Sequence, residues 1–268
     1  MSIRTGIHSK SRFAPARQRG FTLVELAIVI LIMGLILGGL AMPLATQRDN
    51  ARLRDAAQQL DDVSKAVEGF ALVNGFLPCP ATPSSSGSAA GGGGTCTVQH
   101  GFVPATTLDL TGSRNDDNLL LDPWGSPLRY SVSASDTDGD GQWDFVTPGE
   151  MRDVTLPNLS PELTVCSTSA GSSSTACGSA NDTLSNQAPA VVLSLGKDWN
   201  SFSSADQLEN VGANLGGGPS GSSYRVASDV VFVSRGRSNQ PGAEFDDSVR
   251  WISANGLYRG MVAAGRLP

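Results

Sequence analysis

The sequence predicts an α+β protein, a long N-terminal helix with a membrane-spanning half and an amphipathic half, packed on a C-terminal antiparallel β-sheet with long loops. Three observations predict it. Residues 21–44 form one apolar run, and apolar side chains then recur every three or four positions as far as residue 71. Beyond residue 75, short strand-like runs alternate with stretches rich in Gly, Ser and Pro. At 268 residues the chain can bury a sizeable core, in one large domain or two small ones.

The first 20 residues hold Arg4, Lys10, Arg12, Arg17 and Arg19 and no acid, so the chain is at −6 overall but at −11 after them. A uniformly acidic body repels phosphate backbones, and no nucleic-acid partner is expected. From Phe21 to Leu44 the chain reads FTLVELAIVILIMGLILGGLAMPL, in which the one charge is Glu25. As a helix this run spans about 36 Å, enough to cross the hydrocarbon core of a bilayer. Basic residues precede it and none lies inside it, which keeps residues 1–20 in the cytoplasm and exports the chain beyond Leu44. A secretory signal has a shorter apolar core, ending at a small-residue cleavage site. A carboxylate in an apolar span costs about 2.5–3.5 kcal/mol at mid-bilayer, so Glu25 needs a partner.

Leu53, Ala56, Ala57, Leu60, Val63, Val67, Phe70 and Ala71 then mark one face of an amphipathic helix. Arg48, Arg52, Arg54, Asp55, Asp61, Asp62, Lys65 and Glu68 mark the other. The helix should stop at Asn74-Gly75, and Pro43 should kink it. Residues 84–94, SSSGSAAGGGG, read as a flexible loop; the Gly-Lys-Ser/Thr that a phosphate-cradling loop needs is missing. A second Ser/Thr/Gly-rich stretch, Ser167 to Asn186, reads as a surface loop closed by a disulfide. Strands are expected at Leu128–Val132, Trp143–Val146, Ala190–Leu195, Asp229–Ser234 and Ser248–Ile252, their apolar faces packing on the amphipathic helix.

Cys79, Cys96, Cys166 and Cys177 all lie beyond the apolar run, are even in number and sit in loop-like sequence, as in an oxidising compartment. Four cysteines allow three pairings; short-range closure favours Cys79 with Cys96 and Cys166 with Cys177. No CxxC pair or neighbouring His points to zinc. Asp136, Asp138, Asp140, Gln142 and Asp144 alternate through a glycine-bearing stretch, a spacing that lets oxygens converge on Ca²⁺. The closing glutamate of an EF-hand loop is replaced by Thr147, with Glu150 as a substitute. Catalysis finds little support: the histidines are His8 and His100, and Asp116-Asp117 and Asp246-Asp247 read as solvated turns. No enzyme is expected.

Arg19-Gly20-Phe21-Thr22-Leu23-Val24-Glu25-Leu26 resembles the processing site of type IV prepilins and type II secretion pseudopilins. The resemblance implies cleavage after Gly20, methylation of the new amino group on Phe21, and pairing of Glu25 with the amine of a neighbouring subunit during assembly. Leu121-Asp122-Pro123-Trp124-Gly125-Ser126-Pro127-Leu128-Arg129-Tyr130 resembles the turn into the first strand of major pseudopilins, with Trp124 as an aromatic anchor. Residues 244–252 and 261–268 resemble the tail of pilin-like proteins. Calcium in a β-region loop is frequent in major pseudopilins.

The implied protein is a structural subunit, a minor pseudopilin or minor pilin, in a type II secretion pseudopilus or type IV pilus. Its partners would be prepilin peptidase, other pilin or pseudopilin subunits and the inner membrane, with the C-terminal domain in the periplasm or on the cell surface. The expected domains are a cleaved leader at 1–20, a filament-core helix at 21–44, an amphipathic helix at 45–74 and a loop-rich β domain at 75–268. The competing reading is a membrane-anchored periplasmic binding module that is not built into a filament.

Overall fold

The computed structural model describes residues 20–212, 225 and 228–268, with backbone alone for residues 37–46. Residues 1–19 of the expected leader, with His8, and the side chain of Pro43 with its expected kink therefore lie outside the described residues. Two compact units divide the chain, Met1–Asp49 and Asn50–Pro268. Helix α1 is assigned over Leu23–Asn74 and contributes to both. It ends where expected: Gly75, at φ +87°, donates its N–H to Ala71 O at 2.8 Å.

Within the second unit the strands are β1 (Gly91–Gly92), β2 (Thr95–Cys96), β3 (His100–Phe102), β4 (Arg129–Val132), β5 (Leu163–Cys166), β6 (Thr183–Ala188), β7 (Ala190–Ser194), β8 (Val231–Val233) and β9 (Ser248–Trp251). Short helices come after α1 at α2 (Glu150–Asp153), α3 (Ala205–Val211) and α4 (Ala254–Ala263). An antiparallel sheet runs in the order β3-β4-β7-β9, and a three-stranded sheet in the order β6-β5-β8. In the smaller sheet β5 pairs antiparallel with β6 and parallel with β8.

Alternate side chains of a strand point to opposite faces, and β7 uses both. Ala190 and Val192 join Leu60, Val63, Val67 and Ala71 of α1, Tyr130 and Val132 of β4, and Leu257 and Met261 of α4 in one core cluster. Val191 and Leu193 join Leu163 and Val165 of β5, Phe232 of β8 and Val211 of α3 in another. The four-stranded sheet is thus the middle layer of three. This is why residues 190–193 read as an unbroken apolar run: a strand covered on both faces does not alternate.

Four of the five expected strands form, within a residue or two of their expected ends, and Trp143–Val146 does not. There Val146 N donates to Trp143 O at 3.2 Å, while Trp143 N and Asp144 N donate to Gly94 O and Ser135 O. The result is a turn that buries Phe145 completely. Two loop expectations are also corrected. Residues 84–94 are held down: β1 pairs with β2, and Cys79 is bonded to Cys96. A Cβ on Gly91 would lie 2.5 Å from Cys79 Sγ, so that position takes no side chain. Of the stretch 167–186, the Cys166–Cys177 disulfide closes the first part, whereas residues from Thr183 onward belong to β6. Thr183-Leu184-Ser185-Asn186-Gln187 carries little apolar pattern because most of it is exposed.

Both disulfides are the pairings that short loops favour, with sequence separations of 17 and 11. Replacing Cys79 and Cys96 together by Ala should lower unfolding free energy by about 3 kcal/mol through loop entropy. Urea denaturation of the oxidised parent and the variant reads this directly. Coincident midpoints would show that packing alone holds residues 79–96.

Candidate functional site

At the start of α1, Thr22 and Glu25 form a reciprocal cap. Glu25 N donates to Thr22 Oγ1 at 3.2 Å, and Thr22 N donates to Glu25 Oε2 at 2.9 Å. The Thr22 hydroxyl adds a third bond to Oε2 at 3.0 Å. This is a capping box, Thr-x-x-Glu, a sequence signature that is missed when Glu25 is read only as a lone charge in an apolar run. Gly20 and Phe21 precede it, exposed, Phe21 at 85%. From Leu23 to Ile36 the apolar side chains are exposed on every side of the helix. Such a surface demands lipid or other helices around it. Among the described residues no helix is long and apolar enough to cross a membrane; the expected span 21–44 extends into residues whose side chains are not described.

The second feature is the loop from Asp136 to Asp144. Asp136, Asp138 and Asp140 each offer an oxygen within 4.8 Å of the others, all three exposed, so this cluster could hold a metal ion. The other two residues of the expected set do not join them. Both oxygens of buried Asp144 accept from Thr137, and Gln142 donates through Nε2 to Asp140. Asp136 already accepts from the backbone N–H groups of Gly139, Asp140 and Gly141, which fold the loop without an ion. Desolvation, and then repulsion by Asp140 and Asp138, raises buried Glu150 from its ordinary value.

A second acidic cluster, not expected from the sequence, unites Asp198, Asp246 and Asp247, again with oxygens within 4.8 Å of one another. Topology makes it: β7 and β9 pair antiparallel with Ser194 opposite Ser248, so the segment leaving β7 runs beside the one entering β9. Gly196, at φ +71°, allows the approach, since a Cβ there would sit 2.6 Å from the Asp246 carboxylate. Helix α3 supplies the other walls. Its buried Gln207 donates through Nε2 to both Asp198 oxygens at 2.9 Å and to Asp246 Oδ1 at 3.2 Å. Its buried Asn210 donates to Asp247 Oδ2 at 2.7 Å and is itself fixed by the backbone of Val233.

Three carboxylates so close repel one another. Burial, a hydrogen bond with Asp198 and the Asp198 charge push Asp246 up to about 6. Burial pushes Asp247 well above the carboxylate range, reinforced by the charges of Asp246 and Asp198. Asp247 is 7% exposed, and its Oδ1 is buried with no hydrogen-bond partner among the described residues. A buried, unmatched carboxylate oxygen beside two more carboxylates fits a hard divalent cation, for which oxygen ligands and negative charge are the required chemistry. The reading of Asp246-Asp247 as a solvated turn is corrected accordingly. The sequence signal, acids at the adjoining ends of two apolar runs, has meaning once the strand pairing is known.

Two other polar groups serve the fold. His100 Nδ1 lies 2.9 Å from Ser131 Oγ across the β3–β4 register, and both residues are fully buried. Asp122 organises the turn before β4: its Oδ1 accepts from Trp124 N and Ser126 N at 2.9 Å, and its Oδ2 from Ser194 Oγ at 2.6 Å. Gln59 of α1 donates to Leu121 O and ties this turn to the helix.

No curated protein and no solved structure matches the chain. Residues 15–41 match a family model described as the prokaryotic N-terminal methylation motif, which covers Arg17 and Arg19 at the end of the basic segment, Gly20, the Thr22–Glu25 cap and the apolar start of α1. The motif implies a pilin-like protein, processed by a prepilin peptidase and anchored in the inner membrane; proteins of this kind are generally non-enzymatic structural subunits. Through residues 15–41 the chain is thus a bearer of the N-terminal methylation motif typical of type IV pilins and pseudopilins.

Proposed function

We propose that the chain is a minor pseudopilin or minor pilin, cut between Gly20 and Phe21, methylated on the Phe21 amine, and built through residues 21–44 into a type II secretion pseudopilus or type IV pilus. The observation that carries this is the Thr22–Glu25 cap at the head of an apolar helix within the methylation motif. It holds a carboxylate beside the position where cleavage would create a cationic amine. In a filament the Glu25 carboxylate would meet the amine of the adjacent subunit, and two charges that are costly in an apolar core become one pair. The outer part of the subunit is then the disulfide-stapled unit from residue 50 onward.

Mass spectrometry of the mature N-terminus, after expression with a prepilin peptidase, tests this. The expected chain begins at Phe21 and carries one added methyl group. Retention of residues 1–20 in the membrane protein would replace the filament reading with that of a tethered periplasmic module.

The same reading includes Ca²⁺ bound in the β region. Of the two acidic clusters, Asp198, Asp246 and Asp247 are the better fit, because buried Asp247 keeps an oxygen without a partner among the described residues, whereas the exposed loop at Asp136 is folded by its own N–H groups. When bound, the ion would supply the positive charge that these three carboxylates lack. The acids would hold it at the junction of β7, α3 and β9.

A further inference from the structure

Gln207 occupies a singular place in the acidic cluster. Its Nε2 lies 2.9, 2.9 and 3.2 Å from three carboxylate oxygens of Asp198 and Asp246, while the side chain is fully buried. An amide NH₂ has two protons to share among those three acceptors. It stands where positive charge is wanted and supplies a partial one. On the other side of the same amide, Oε1 accepts from the hydroxyl of Ser204 at 3.3 Å.

We propose that Gln207 is a two-way amide for the calcium site, a donor to the carboxylates without the ion and an oxygen ligand with it. The proposal rests on the calcium reading above and concerns what this side chain contributes. A cation among the acids repels the NH₂ and attracts the amide oxygen. Half a turn about the terminal torsion exchanges the two atoms, and such sp³–sp² torsions are broad, so the exchange needs no backbone movement. Ser204 suits both states, because a hydroxyl that donates to Oε1 can equally accept from NH₂. Ser204 is also the N-cap of α3 and accepts from Gln207 N, which fixes the base of the side chain while its end turns. Asn210, one turn on, holds Asp247 to β8 in either state. The helix therefore presents one amide that turns and one that is tied.

The test uses the full-length chain in detergent, measuring Ca²⁺ affinity by chelator competition and thermal midpoints in EDTA and in Ca²⁺. Gln207→Met keeps the length and removes both donor and oxygen; it should lower the midpoint in EDTA and weaken Ca²⁺ binding about tenfold or more. Gln207→Glu, isosteric, should also lower the midpoint in EDTA but bind Ca²⁺ more tightly than the parent. Calcium binding that is unchanged or tighter in Gln207→Met overturns the ligand role and makes Gln207 a placeholder. A parent chain with no Ca²⁺-dependent shift overturns the calcium reading itself, and this proposal with it.

Discussion

Glu25→Ala is expected to remove the subunit from filaments while leaving the thermal midpoint of the Asn50–Pro268 unit unchanged. The two effects separate because, among the described residues, the two large core clusters draw on none before Leu60. Within the chain, the carboxylate makes contacts with Thr22 alone among the described residues, at an exposed helix end. Losing that cap loosens only the first turn of the helix. In an apolar filament core the loss is larger: removing one partner of a buried pair costs about 3–5 kcal/mol, because the other charge is left unmatched. That corresponds to a factor of roughly a hundred to a few thousand in subunit incorporation, taking about 1.4 kcal/mol per tenfold.

Glu25→Gln distinguishes the two roles. Glutamine serves at the third position of a capping box, so it preserves the helix start and removes the charge. If pairing with an amine is the function, Glu25→Gln should fail in assembly nearly as badly as Glu25→Ala. Immunoblots of sheared filaments against total membrane protein read both variants. Assembly of the Gln variant at the parent level would make Glu25 a helix cap and nothing more.

How much of this was legible in the sequence depends on the range over which each signal acts. The long helix, its end at Asn74 and the disulfide pairing come from local or short-loop physics, and all three appear as expected. Strand β7 was legible because both its faces are buried. Strands β3 and β6 were not: β3 is three residues with a central glycine, and β6 is polar and largely exposed. Trp143–Val146 has the composition of a strand, yet its backbone groups are claimed by Gly94 and Ser135 from other parts of the chain. The acid sites divide in the same way. Asp136, Asp138 and Asp140 stand out because they alternate along the chain. Asp198 lies far from Asp246 and Asp247 in sequence, and the β7–β9 register brings them together. Gln207 and Asn210 carried no signal, since their importance comes from what α3 faces.

In EDTA the protein should lose stability as pH rises from about 4 through 6, the reverse of what salt-bridged carboxylates produce. Proton linkage sets the sign. Asp246 is held up to about 6, chiefly by burial and then by Asp198, against an ordinary value of 3.8. Between those values the folded chain binds more protons than the unfolded one, so stability falls as protons are withdrawn. Because Asp246 is only half-buried, solvent screening reduces what this shift contributes to stability. Asp247, raised well above 3.8 by burial, adds to it in the same direction. Asp206 acts oppositely: hydrogen bonds from Ser169 and the charge of Arg235 overcome its burial and lower it, so its contribution is lost below about pH 4, outside this window. Asp122, Glu150 and Glu209, raised mainly by burial, share the direction of Asp246, and the variant Asp246→Asn apportions the effect. Urea midpoints from about pH 4 to 8 in EDTA should fall steeply for the parent and much less for Asp246→Asn. Saturating Ca²⁺ should cancel most of the fall in the parent, because the ion binds the ionised carboxylates and supplies the charge that protons supplied at low pH. A parent curve that is flat in EDTA would mean that the three acids relax apart when ionised, and the junction of β7, α3 and β9 would then lack the preformed charge that calls for a cation.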